Sequence, residues 1–123
     1  MLPTEWVVGF VEGEGTFSGS TRNYDYFQPQ FSVYQKDRRI LDEMVQFLAE
    51  HGIPGARVYV SKSCHVLTVT GRPRCRSIYN LLRPHMHAQV KIEQIEAWYA
   101  KIQPNPETAK HGSPRYKEQV AGV

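Results

Sequence analysis

Near the start of the chain runs Trp6-Val7-Val8-Gly9-Phe10-Val11-Glu12-Gly13-Glu14-Gly15-Thr16-Phe17, an apolar segment broken by glycines and carrying two acids toward its end. Thr4 reads as an N-cap, Glu5 sits in the first turn, and the apolar run predicts a short helix closed by Gly13 and Gly15. Gly9 and Gly13 lie four apart on one face, and glycine inside a helix costs about 1 kcal/mol relative to alanine. Close approach of another backbone would offset that cost, as in small-xxx-small helix pairs. Packing within the chain is one way to supply it. No other helical stretch carries a matching stripe, so a second copy of this helix is the natural partner. Glu12 and Glu14 occupy the C-terminal turn, where the macrodipole disfavours negative charge. Both could be solvated surface residues. A symmetric helix pair would instead gather carboxylates and helix-end carbonyls near a dyad, a hard-oxygen site suited to Mg²⁺.

Outward from this helix, Thr16–Arg22 and Tyr26–Gln35 read as two antiparallel strands joined by a turn at Asn23 and Asp25. Ile40, Leu41, Met44, Val45, Phe47 and Leu48 then recur at helical spacing over Arg38–His51, with Asp37 as N-cap and Gly52 as stop. A second hairpin, Arg57–Lys62 and His65–Thr70, leads to a helix opened by Pro73 and carrying Cys75, Ile78, Leu81 and Leu82. Pro84 ends it. Ile92, Ile95, Tyr99 and Ile102 mark a last helix that stops before Pro104. The order αββαββαα predicts an α+β fold, four antiparallel strands with the helices on one face. Residues 1–103 should form one domain, and residues 104–123 a mobile, basic, proline-containing tail.

Composition sets the bounds. A chain of 123 residues with 41% hydrophobic and 22% charged residues holds one ordinary core. Fifteen Lys and Arg against twelve Asp and Glu leave +3, which suits a polyanion without demanding one. No apolar run approaches the ~20 residues of a membrane span, and the start lacks a secretory pattern, so a soluble intracellular protein of cytoplasm or organelle matrix is expected. Cys64, His65, Cys75, His85 and His87 match no usual zinc spacing, and both cysteines read as reduced thiols.

Val7 to Gly15 fills, in order, the nine positions of the LAGLIDADG motif, with Glu in place of both Asp, and the chain resembles that homing endonuclease family over roughly Thr4 to Ile102. The resemblance implies a LAGLIDADG-endonuclease-like αββαββα fold with a four-stranded antiparallel DNA-binding sheet. With one motif copy, it implies a homodimer closed by Trp6, Gly9, Glu12 and Gly13 that hydrolyses both strands of a long, near-palindromic double-stranded DNA site, leaving 3′ overhangs. The cofactor it implies is Mg²⁺ or another divalent cation such as Mn²⁺, with Ca²⁺ binding but not supporting cleavage. It implies no small-molecule cofactor and no membrane. Glu14, helped by the Gly13 carbonyl, would hold the metal, and Glu12 would be a structural acid. Gln35 would position the attacking water, with Arg38 or Arg39 near the scissile phosphate. The basic catalytic position falls on Lys91 in the string VKIEQ, just before the last helix, or on Gln89 if no gap is allowed after Pro84.

Strand alternation supplies the candidate DNA face. Ser18, Ser20, Arg22 and Tyr24 point opposite to Phe17, Gly19 and Thr21, and Gln28, Gln30 and Ser32 point opposite to Phe31 and Val33. In the second hairpin Val58, Val60, Leu67 and Val69 should face inward, leaving Arg57, Tyr59, Ser61, Thr68 and Thr70 outward. Gln and Arg read purine edges in the major groove. Two other readings stand beside the nuclease: a non-cleaving maturase or DNA-binding regulator on the same fold, and a small protein-interaction domain with an incidental glycine stripe.

Overall fold

The computed structural model describes residues 2–22 and 26–102; the expected tail, beyond residue 103, and Tyr24 lie outside the described residues. The elements are α1 (Thr4–Glu14), β1 (Gly15–Arg22), β2 (Tyr26–Gln35), α2 (Arg38–Glu50), β3 (Arg57–Ser61), β4 (Cys64–Thr70), α3 (Arg72–Leu82), a short 3₁₀ turn (Arg83–His85) and α4 (Gln89–Ile102). The strands form one antiparallel sheet in the order β1-β2-β4-β3. This is the expected α+β architecture.

Local chemistry explains the boundaries. Asp37 caps α2 by accepting from the Arg39 N–H at 2.9 Å, and Leu41, Met44, Phe47 and Leu48 bury that helix's inner stripe. Gly71, at φ +96°, turns the chain into α3 in a conformation that other residues avoid. Two starts differ from the sequence reading. Pro3 rather than Thr4 is the N-cap of α1, with no side-chain cap: its backbone is extended and its carbonyl accepts the first helical bond, from Val7 N at 3.1 Å. α4 begins at Gln89, where Ala88 O accepts from Ile92 N at 2.9 Å, so Lys91 stands inside its first turn rather than ahead of it.

The core lies on one face of the sheet. Phe31, Val33, Leu67 and Val69 meet Val7, Val8 and Val11 of α1, Leu41, Met44 and Phe47 of α2, and Ile95, Trp98 and Ile102 of α4 in one cluster. Phe17 packs between Phe31 and Trp98, with ring centroids 5.7 Å and 5.1 Å away. Val60 departs from expectation. It shares the Gln35 and His65 row, the last core-side row of edge strand β3, and Val60 is 67% exposed. α4 also restrains edge strand β1: the Trp98 indole donates to Ser18 O at 2.7 Å, and Lys91 Nζ donates to Gly15 O at 2.6 Å. The buried Arg72 guanidinium donates to Phe27 O and Ile102 O, tying the first hairpin to the end of α4.

Candidate nucleic-acid and metal site

Register gathers the open face of the sheet into rows. Ser20 stands across from Gln28. Ser18, Gln30 and Thr70 form the next row, then Thr16, Ser32, Thr68 and Arg57, then Tyr34, Val66 and Tyr59. The alternation read from sequence therefore puts its strand candidates on one face. Ser20, Gln28, Arg57, Tyr59 and Thr70 are exposed there, and Ser18, Gln30 and Ser61 are half-buried. Ser32 and Thr68 need correction as DNA contacts: they hold central-strand positions, are 2% and 7% exposed, and Ser32 Oγ accepts from Gln30 Nε2 at 2.9 Å. Arg22 pairs with Tyr26 through its backbone at the end of β1. Ser18, Ser20, Gln28, Gln30 and Thr70 line an open depression of about 500 Å³. Thr16 and Tyr34, both exposed on this face, were missed, though carrying the same alternation one step further finds them.

At the end of α1 the two acids have different surroundings. Glu12 Oε2 accepts from His87 N and Ala88 N, each at 2.6 Å, so its charge sits at the positive start of α4. Its position at the C-terminus of α1 is explained within the chain. Glu14 is exposed and has no hydrogen bond or ion pair among the described residues. Lys91 reaches this corner through its bond to Gly15 O, whereas Gln89 Nε2 bonds Glu93 on its own helix at 3.3 Å.

The glycines divide in the same way. A Cβ on Gly15 would lie 2.7 Å from Val11 Cγ1 and 2.8 Å from Val11 O, so close approach demands glycine there. A Cβ on Gly9 or Gly13 would meet nothing within 4 Å. Packing within the chain therefore does not account for that stripe. Beside it Trp6 is 43% exposed and stacked on Phe10, centroids 5.1 Å apart.

Gln35 is half-buried and stands across from His65 at the end of β2. Arg38 and Arg39 follow at the start of α2, both ion-paired: Arg38 with Asp42 at 3.2 Å, Arg39 with Asp37 at 2.6 Å. Hydrogen bonds from the Arg39 side chain and backbone hold the Asp37 carboxyl down to about 2. The cysteines sit apart, Cys64 at the β3–β4 turn and Cys75 in the core, where burial pushes its thiol up to about 12. Among the described residues no three His, Cys, Asp or Glu gather where they could hold a metal ion. None of the described helices is long and apolar enough to cross a membrane.

No protein-family model matches the chain. Solved structures do. The LAGLIDADG meganuclease I-AabMI, bound to uncleaved DNA, superposes with a TM-score of 0.73 at 16% identity over 89% of this chain, which spans 42% of that protein's length. The homing endonuclease I-TnaI gives 0.70 at 20% identity, covering 97% of this chain and 83% of that one. The homing endonuclease I-CvuI, in a DNA complex with 2 mM Mg in which the DNA is not cleaved, gives 0.70 at 18% identity, covering 94% and 73%. The chain has the fold of the LAGLIDADG homing endonucleases.

Proposed function

We propose that this chain is a single-motif LAGLIDADG protein acting as a homodimeric, divalent-metal-dependent, site-specific DNA endonuclease. The observation that carries the reading is the glycine stripe of α1, where a Cβ on Gly9 or Gly13 would meet nothing within 4 Å, together with Glu14, exposed at the helix end with no hydrogen bond or ion pair among the described residues. Pairing two copies of this face would give the glycines a use and bring two Glu14 carboxylates together.

The donor set fits a hard cation. Glu14 offers a free carboxylate and the end of α1 offers carbonyls such as that of Gly13, all oxygen ligands of the kind Mg²⁺ takes. Bound there, a divalent ion would supply activation of water and stabilisation of the leaving oxygen. Gln35 would orient the attacking water. Lys91 uses one of its three N–H donors on Gly15 O, and the other two would screen charge developing on the phosphate. The polar rows of the sheet would lie in the major groove, with Gln28, Gln30 and Arg57 as readers of base edges or phosphates. That I-AabMI and I-CvuI were solved with DNA supports this use of the fold.

The test is selection of cleaved sites from a randomised duplex library in Mg²⁺, with EDTA as control. The expected products are near-palindromic sites cut on both strands with 3′ overhangs. Duplex that is bound but never cut, in Mg²⁺ or Mn²⁺, would make the chain a maturase or regulator on this fold. Failure to bind any duplex at low salt would remove the nucleic-acid reading.

A further inference from the structure

The open face of the sheet is not uniformly polar. Toward the end where α1 enters β1, one row holds Tyr34, Val66 and Tyr59 directly across from one another, with Ser61 and Cys64 beyond it. Cross-strand partners on one face bring their Cβ atoms to about 5 Å, so the three side chains form one short apolar ridge. Val66 is 1% exposed yet stands apart from the core cluster on the other side of the sheet, which places it under the two flanking rings. Tyr34 and Tyr59 are 46% and 48% exposed, and neither hydroxyl has a hydrogen-bond partner among the described residues. The neighbouring row is polar, with Thr16 and Arg57 exposed at its two ends.

An apolar ridge set into a face of hydroxyls, amides and a guanidinium asks for a different kind of base edge. In the major groove the thymine C5-methyl is the apolar mark, while the other edges offer hydrogen-bond donors and acceptors. We propose that the Tyr34–Val66–Tyr59 ridge reads the C5-methyl of a thymine in each half-site, giving the protein a methyl-dependent specificity at the base pairs beside the cleavage centre. The inference rests on the nuclease reading for its DNA and deepens it by naming what one row of the sheet recognises. Val66 serves as support rather than contact, holding both rings upright from beneath.

Burying one methyl group strengthens binding by about threefold to fivefold. Two symmetric half-sites then multiply to roughly tenfold or more. The experiment takes a duplex selected from the random library and replaces each thymine in turn, symmetrically, by deoxyuridine, which removes only the methyl group. Binding is measured by fluorescence anisotropy in Ca²⁺, so the readout is independent of cleavage. One central thymine position should lose about tenfold with the parent protein. The doubly substituted protein Tyr34→Ser with Tyr59→Ser should bind the thymine and uracil duplexes equally well at that position, while keeping the parent's sensitivity at positions read by other rows. Circular dichroism is used to check that this protein folds as the parent does. Equal binding of every uracil duplex by the parent overturns the inference and leaves the nuclease reading standing. So does a methyl preference that survives the double substitution. Selection that yields no bound duplex at low salt overturns both.

Discussion

Replacing Gly9 and Gly13 together by alanine should separate folding from association. In the single chain both positions are helical, neither has a positive φ, and an added Cβ meets nothing within 4 Å. Each substitution should therefore stabilise the isolated fold by up to about 1 kcal/mol through helix propensity and reduced unfolded-state entropy. For the pair this comes to roughly 2 kcal/mol, or about thirtyfold in the folding constant. A dimer built on this stripe experiences the opposite. The two-fold repeats every change, so four methyl groups enter a contact between close-packed backbones. Overpacking of this kind costs about 1–3 kcal/mol per site, and association should weaken by at least two orders of magnitude, roughly speaking. Sedimentation velocity at micromolar concentration reads the association, and urea unfolding of the diluted proteins reads the fold. The expected result is a monomer that unfolds at higher urea than the dissociated parent and does not cut DNA. Gly9→Leu should dissociate the dimer more completely. A double-alanine protein that remains dimeric and cuts at the parental rate would show that the stripe serves neither packing nor pairing.

Other substitutions test other corners. Glu12→Ala removes the acceptor for two backbone donors at the start of α4, and should lower stability by about 1–2 kcal/mol in urea titration while cleavage well below the unfolding transition persists. Arg57→Ala, if its guanidinium meets a phosphate, should reduce the slope of log K against log salt by about 0.9 per half-site. Asp37 links stability to pH: its carboxyl falls from 3.8 to about 2 in the folded chain, so the contribution of its contacts with Arg39 is complete above the unfolded value and fades as pH drops through the folded one. The difference in stability between the parent and Asp37→Ala should accordingly hold constant from neutral pH down to about 5 and shrink below the unfolded value, as followed by urea unfolding at each pH.

Much of the fold was legible because its signals are local. Asp37 and Gly52 bracket α2, the two hairpins alternate cleanly, and the order of elements limits the arrangement to helices on one side of a four-stranded sheet. What the sequence hid was tertiary. Nothing local announces that Glu12 reaches the backbone at His87 and Ala88, so its odd place at a helix C-terminus could be noticed but not explained. Lys91 against Gln89 was undecidable by spacing, and a single bond to Gly15 O distinguishes their surroundings. Ser32 and Thr68 were assigned to the correct face, but accessibility depends on neighbouring strands that alternation does not describe. Val60 failed for the converse reason: a core-side position at the end of an edge strand has no helix to cover it. Arg38 and Arg39 look free in sequence, and their pairing with Asp42 and Asp37 appears only once α2 is built.

Glu14, not Glu12, should carry metal-dependent cleavage, and the direct measurement compares Glu14→Gln with Glu12→Gln on one selected duplex. Glutamine keeps the shape and one oxygen acceptor but removes the charge a divalent ion needs. In EDTA the Glu14→Gln dimer should bind DNA at least as tightly as the parent, because a carboxylate beside phosphates repels them, and Ca²⁺ should erase any advantage. In Mg²⁺ it should leave both strands intact while Glu12→Gln still cuts them. Cleavage by Glu14→Gln at a rate near the parent's, on the same duplex, would mean that Glu14 does not hold the metal.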